Sequence, residues 1–195
     1  EMNRSLAYSQ LGSGQTEKGL GSLEKAFAGN PADVQAGIAL ATLYMRLGKS
    51  DKAMKVAETM IKRDPSNLTA LNLLGSLKGA AGDKAGARSI YAQVLSKDPG
   101  FIPSALNLVR LDAGEKRYDD ARRRLEELLR KNSNDYHVLL EYGQLERRAG
   151  RLNDAARYLA KAGSVQLSDP SPGLALVDLQ RGQRQGDAAR ATAKD

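Results

Sequence analysis

The sequence predicts an all-α fold built of stacked antiparallel helical hairpins, and three observations predict it. A glycine-centred marker recurs every 34 residues along a 195-residue chain. Apolar residues run at helical period on both sides of each marker. Ala and Leu are abundant whereas aromatics are few (two Phe, seven Tyr, no Trp), which suits close helix-on-helix packing better than a sandwich or barrel. With 41% hydrophobic residues the chain can bury a continuous core, so a disordered tail is excluded.

The markers are Gly14, Gly48, Gly82, Lys116, where glycine is replaced, and Gly150, with Gly186 following after 36 residues. Five residues after each stands a small residue: Gly19, Ala53, Ala87, Ala121, Ala155 and Ala191. Eight residues before the markers come Leu6, Leu40, Leu74, Leu108, Tyr142 and Asp178. Directly after these follow Ala7, Ala41, Gly75, Val109, Gly143 and Leu179, so the sixth copy departs most from the pattern. Pro31, Pro65 and Pro99 close the first three units, while Ser133 and Leu167 replace proline in the next two, with Pro170 and Pro172 slightly displaced.

Each unit thus reads as a helix, a short turn, a second helix and a stop. The turn glycine takes the positive φ that ends a helix with little strain, and small residues let the paired backbones approach. Proline after the second helix suits the first turn of the next, where its missing N–H is not needed. First helices are expected at 2–13, 33–47, 67–81, 101–114, 135–149 and 171–184. Second helices are expected at 16–29, 50–63, 84–97, 118–131, 152–165 and from 188 onward. One hairpin cannot bury both its apolar faces, so successive hairpins must stack on a shared core.

A unit of this length carrying Leu40, Ala41, Tyr44, Gly48, Ala53 and Pro65 in that order resembles the tetratricopeptide repeat. The resemblance spans essentially the whole chain. It implies a right-handed tetratricopeptide (TPR) superhelix, an α-solenoid, forming one array over 1–195 with repeats at 1–33, 34–67, 68–101, 102–135, 136–171 and a truncated 172–195. Neither end carries a polar capping helix. The chain therefore reads as an excerpt of a longer array, with apolar ends expected to fray or self-associate. Stretches such as Pro99 to Leu108, Lys116 to Arg122 and Arg184 to Asp187 are similar to the tetratricopeptide lipoproteins of bacterial exosortase (PEP-CTERM) and exopolysaccharide systems. That narrower resemblance implies the periplasm or outer membrane, with a lipid anchor on the full-length protein.

Several kinds of chemistry are absent from the sequence. There is no cysteine, so disulfides, thiolate metal sites and cysteine nucleophiles are excluded. No apolar run approaches the roughly 18 residues of a membrane span, and residues 1–4 form no signal h-region. His137 opens a helix beside Asp135 with Ser133 near, but a surface histidine there lacks the fixed surroundings of a catalytic base. The segment Gly12–Gly19 has no Gly-Lys-Ser/Thr and no preceding strand, so it is an interhelical turn and not a phosphate loop. The charged run around Arg122, Arg123 and Arg124 is read as a solvated face with i,i+4 pairs Arg122–Glu126 and Glu127–Lys131. No cofactor and no metal site is expected. The net charge of +7 permits anionic partners, but basic residues are not interleaved with aromatics as nucleic-acid binding requires.

The resemblance to tetratricopeptide arrays implies that the first helix of each hairpin lines a concave groove holding a protein or peptide. Mapped here, the groove positions are Arg4, Tyr8, Gln35, Thr42, Met45, Arg46, Asn72, Ser76, Arg110, Gln144, Arg147, Arg148, Gln180 and Arg184, with His137 and Gln183 beside them. Arg46, Arg110, Arg147, Arg148 and Arg184 suggest a ladder for an acidic peptide or an anionic polysaccharide, because guanidinium matches carboxylate and phosphate bidentately. Arg4 and Tyr8 stand where the chaperone-tail carboxylate clamp needs Lys and Asn, so that specialisation is not reproduced. A non-catalytic scaffold is the expectation.

Overall fold

The computed structural model describes the backbone of residues 2–192 and the side chains of residues 2–182. Among the described residues there are eleven α-helices and no strand. They are α1 (Met2–Gly12), α2 (Thr16–Gly29), α3 (Val34–Arg46), α4 (Ser50–Arg63), α5 (Leu68–Ala80), α6 (Lys84–Lys97), α7 (Ile102–Gly114), α8 (Tyr118–Lys131), α9 (Tyr136–Arg148), α10 (Leu152–Val165) and α11 (Ser171–Thr192). The first ten match the expected bounds to within one residue at each end. The all-α helical repeat architecture is therefore as the sequence predicts.

The first five turn markers do what their position demands. Gly14, Gly48, Gly82 and Gly150 have φ of 76°, 70°, 90° and 76°, and Lys116 takes φ 60° in the same place. The residue after each marker then donates its backbone N–H to the carbonyl five residues back: Gln15 to Gln10, Lys49 to Tyr44, Asp83 to Lys78, Arg117 to Asp112 and Arg151 to Glu146, at 2.8–2.9 Å. This is the Schellman pattern, which satisfies carbonyls that the helix end leaves open. Lys116 accepts a strained conformation because the same hydrogen bonds hold it there.

Two acidic or amide positions, each at 34-residue spacing, set the start of the next hairpin. Asn30, Asp64, Asp98 and Asn132 accept the backbone N–H two residues on, at 3.2, 2.9, 2.8 and 3.2 Å. This bend forms whether proline or Ser133 follows, which explains why the fourth unit needs no proline. Asp33, Asn67 and Asp135 cap α3, α5 and α9 by accepting from Ala36, Ala70 and Val138 at 3.0, 3.0 and 3.1 Å. Each such cap contributes about 1 kcal/mol.

The chain divides into two compact units, Glu1–Ser104 and Ala105–Asp195. In the first, Leu23, Phe27, Leu40, Leu43, Tyr44, Val56 and Met60 form the core with the small residues Ala7, Ala41, Ala53 and Ala57. Leu23 and the alanines are fully buried. In the second, Leu125, Leu139, Leu145 and Leu159 are buried to 2% exposure or less around Ala121, Ala155 and Ala162. The small positions are tight: a Cβ on Gly19 would meet Leu11 at 2.6 Å, one on Gly75 would meet Tyr91 at 2.6 Å, and one on Gly143 would meet Leu159 at 2.6 Å.

The sixth unit departs from expectation. A turn at Gly186 and a second helix from 188 were expected, but α11 continues unbroken from Ser171 to Thr192. Residues 184–192 are mostly helix formers, and one internal glycine costs only about 1 kcal/mol. The apolar face that would fold a second helix back is reduced there to alanines. Met2 and Leu6 on α1, and Leu174 and Val177 on α11, stand exposed. No described helix is long and apolar enough to cross a membrane.

Candidate interaction site

In the first unit the mapped groove residues fall into two groups. Gln35, Thr42 and Arg46 are exposed along α3, and Tyr8 is about half exposed on α1. Met45 is half-buried and packs against the core. The others are engaged within the fold. Arg4 donates to both carboxylate oxygens of Asp33 at 2.9 and 2.8 Å, tying α1 to the residue that caps α3. The backbone N–H of Ala36 holds the Asp33 carboxyl below its ordinary pKa; partial burial opposes this and the Arg4 guanidinium adds to it. Ser76 donates to the carbonyl of Asn72 at 3.1 Å and accepts from the Tyr91 hydroxyl at 3.1 Å, while Ser104 donates to the Asn72 amide oxygen at 2.9 Å. Asn72 and Ser76 therefore brace helices against one another.

In the second unit the arrangement is dominated by buried carboxylates that are absent from the groove positions mapped above. Asp112, Glu141 and Glu146 are exposed by only 1%, 5% and 2%. Arg110 grips Glu141 through Nε at 2.8 Å and a terminal nitrogen at 2.6 Å, so its charge is already compensated and it is not a free rung of an arginine ladder. Asp112 takes Arg117 at 2.6 Å and Arg124 at 3.2 Å. Glu146 takes Arg122 from α8 at 2.6 Å and, more distantly, Arg151 at 3.8 Å. The Arg122 pKa is raised, first by the hydrogen bond to Glu146.

These pairs follow the repeat. Asp112 with Arg117, and Glu146 with Arg151, are the residues whose backbones close the turn, so one five-residue step carries both a main-chain and a side-chain link. One unit earlier Lys78 and Asp83 make the same link with reversed polarity at 2.8 Å. The Asp83 carboxyl is lowered in pKa, chiefly by its hydrogen bond with Lys78. The acids at 112 and 146 and the arginines at 117 and 151 are 34 apart, a signal that was present in the sequence.

The charged run of α8 is consequently not a simple solvated face. The expected Arg122–Glu126 and Glu127–Lys131 pairs do not form among the described residues. Arg122 pairs with Asp119 at 2.6 Å and reaches across to Glu146, Arg123 pairs with Asp120, and Arg130 with Glu127 at 3.9 Å. Glu126 instead accepts from the Tyr142 hydroxyl at 3.0 Å, and the Tyr142 ring stacks on Tyr158 at 3.9 Å between centroids. A neighbouring helix supplied partners that spacing within α8 did not show.

The exposed arginines of this unit without a carboxylate partner among the described residues lie at the end of α9 and at Arg181 of α11. Gln144 is half-buried, and Arg147 and Arg148 project outward with no carboxylate within 4.0 Å among the described residues. By contrast the arginines of α7, α8 and α10, namely Arg110, Arg122, Arg123, Arg124, Arg130 and Arg157, are all paired. Gln180 is exposed on α11, and Arg184 and Gln183 lie outside the residues whose side chains are described. His137 is exposed, its ring edge-on to Tyr136 at 5.3 Å, and Tyr136 donates to Asp169. The Gly12–Gly19 segment is the turn joining α1 to α2, as expected.

A family model described as tetratricopeptide repeat matches residues 10–77, 80–140 and 112–171. The fold is similar to that of a thermophilic tetratricopeptide protein from Thermus thermophilus, at 21% identity and TM-score 0.74, over 91% of this chain and 97% of that one. It is similar to a tetratricopeptide repeat protein from Parabacteroides merdae, at 22% identity and TM-score 0.66, over 98% of this chain and 75% of that one. It is also similar to PilW, described as a widely conserved type IV pilus biogenesis factor, at 20% identity and TM-score 0.70, over 97% of this chain and 88% of that one. At these identities the likeness concerns the fold. With the repeated Schellman turns, the small crossing residues and a family match over most of its length, this chain belongs to the tetratricopeptide repeat family.

Proposed function

We propose that the chain is a non-catalytic scaffold that holds an acidic polypeptide segment against its first-helix faces, within a bacterial cell-envelope assembly serving exopolysaccharide export or protein sorting. The tetratricopeptide fold itself suggests a protein-interaction scaffold. The observation that carries the finer reading is the state of the arginines in the second unit. Those of α7, α8 and α10 are bound to carboxylates, whereas Arg147 and Arg148 of α9 are exposed without one. An exposed guanidinium pair with no internal partner offers its donors to carboxylates brought from outside. Arg46 has the same character at the end of α3 in the first unit. The envelope setting is supported by the resemblance of Pro99–Leu108 and Lys116–Arg122 to exosortase-associated lipoproteins, and by PilW among the proteins of similar fold.

The test is capture of partner from an envelope extract by the 195-residue chain and by an Arg147→Ala, Arg148→Ala variant. A polypeptide retained by the parent and lost by the variant supports the proposal. An anionic polysaccharide retained instead, with affinity collapsing between low and moderate salt, would replace the polypeptide by a polyanion on the same arginines. Equal capture by parent and variant refutes the site.

A further inference from the structure

The first unit carries a concave feature lined by residues of α2, α3 and α4 and by none of the groove residues mapped above. It is a slot of about 280 Å³ between α2 and α4, floored by α3. Phe27, Leu40, Tyr44 and Val56 form its apolar floor and walls, and all four are nearly buried. Lys52 and Lys55 stand on its rim, both exposed.

Three features distinguish the slot from an incidental crevice between repeats. Its lining is not demanded by the repeat: one unit on, the register places Lys78, Gly86 and Ser89 where Tyr44, Lys52 and Lys55 stand. Its single acid, Glu24, accepts the Tyr44 hydroxyl at 2.6 Å and keeps its negative charge, so the two rim lysines leave the slot with an excess of positive charge. Its lysines are not neutralised, since neither has a carboxylate within 4.0 Å among the described residues, and the Lys52 ammonium instead lies 5.6 Å from the Tyr44 ring centroid. Small-molecule pockets run from about 300 to 1,000 Å³, so this slot, of about 280 Å³, falls just below that range and suits one large apolar side chain.

We infer that this slot is a docking site for a polypeptide segment that inserts one aromatic or large aliphatic side chain between α2 and α4 and sets flanking carboxylates against Lys52 and Lys55. Burial of that side chain supplies the affinity, and the two ammonium groups select acidic neighbours and orient the segment. The net charge of +7 favours the same class of partner over longer range. This site is independent of Arg147 and Arg148, which belong to the other unit.

The experiment titrates the ¹⁵N-labelled 195-residue chain with the synthetic peptide acetyl-Gly-Asp-Glu-Phe-Glu-Asp-Gly-amide. Saturable amide shifts centred on Phe27, Val56 and Thr59 are expected at concentrations up to about 1 mM. Replacing the peptide's Phe by Ala, or its four acids by their amides, should each weaken binding by about tenfold or more. Lys52→Glu with Lys55→Glu should do the same while leaving the remaining amide spectrum unchanged, and Arg147→Ala with Arg148→Ala should have no effect. No saturable shift, shifts centred elsewhere, or affinity indifferent to both the aromatic ring and the two lysines would overturn the inference.

Discussion

Lys116 is the position at which repeat geometry and residue identity disagree, so replacing it by glycine tests the account of the turns directly. Its φ of 60° lies in the left-handed region occupied by glycine in the four other turns, at φ 70–90°. Its backbone makes the turn's usual bonds, Lys116 N–H to Ala113 at 3.1 Å and Arg117 N–H to Asp112 at 2.8 Å, and its side chain is exposed. Lys116→Gly therefore removes strain and breaks no described contact. A left-handed residue with a Cβ costs about 1–2 kcal/mol. Glycine gives back about 0.5–1 kcal/mol through its greater freedom in the unfolded chain. The net expectation is stabilisation by about 0.5–1 kcal/mol. Equilibrium urea unfolding should show a higher midpoint with an unchanged denaturant slope. The reciprocal Gly150→Lys should destabilise by a similar amount, because Gly150 has φ 76° and open space around it. Neutral or negative stability change for Lys116→Gly, alongside the expected loss for Gly150→Lys, would refute the reasoning and show that the Lys116 side chain contributes to the fold.

Arg122→Ala should destabilise the second unit by about 3 kcal/mol, since it strips the close partner from a buried carboxylate. The double replacement Arg122→Leu, Glu146→Leu should recover most of that loss, and the same urea titration reads both. Gly143→Ala should cost about 1–3 kcal/mol by overpacking against Leu159, whose Cγ and backbone N lie 2.6 and 3.2 Å from the added carbon. Gly21→Ala, in the interior of α2 with nothing within 4 Å, should instead stabilise by about 0.5–1 kcal/mol. The Asp33 carboxyl has its folded-state pKa below the ordinary 3.8, so its contribution is complete above that value and is lost as pH falls through the lower, folded one. Asp33→Asn keeps a cap acceptor but cannot titrate. Stability followed by far-UV circular dichroism should then fall less steeply between about pH 4 and 2 than in the parent.

The local frame was legible in the order of residues alone. The 34-residue spacing of the markers, the small residues at 53, 87, 121 and 155, and the prolines of the first three units depend on backbone conformation and on packing within one hairpin, which recur through the first five units. Such constraints leave a periodic trace, so ten helices were placed to within a residue. The caps at 33, 67 and 135 left the same kind of trace.

Which charges are spent and which are free was settled by packing between hairpins. Arg122 is separated from Glu146 by 24 residues and Arg110 from Glu141 by 31, so both pairs exist only because neighbouring hairpins bring α8 and α7 against α9. Spacing within a helix pointed to Arg122–Glu126, but Glu146 lies buried beside Arg122, where a charge pair is far less screened than on the solvated face. The same packing committed Asn72, Ser76 and Arg4 to internal contacts and left Arg147 and Arg148 without a carboxylate partner among the described residues. The α11 turn failed for a related reason, since a marker glycine closes a hairpin only when the following helix has an apolar face to bury. Residue types set the repeating unit through local conformation, while the polar chemistry left at the surface is whatever remains after the hairpins have satisfied one another.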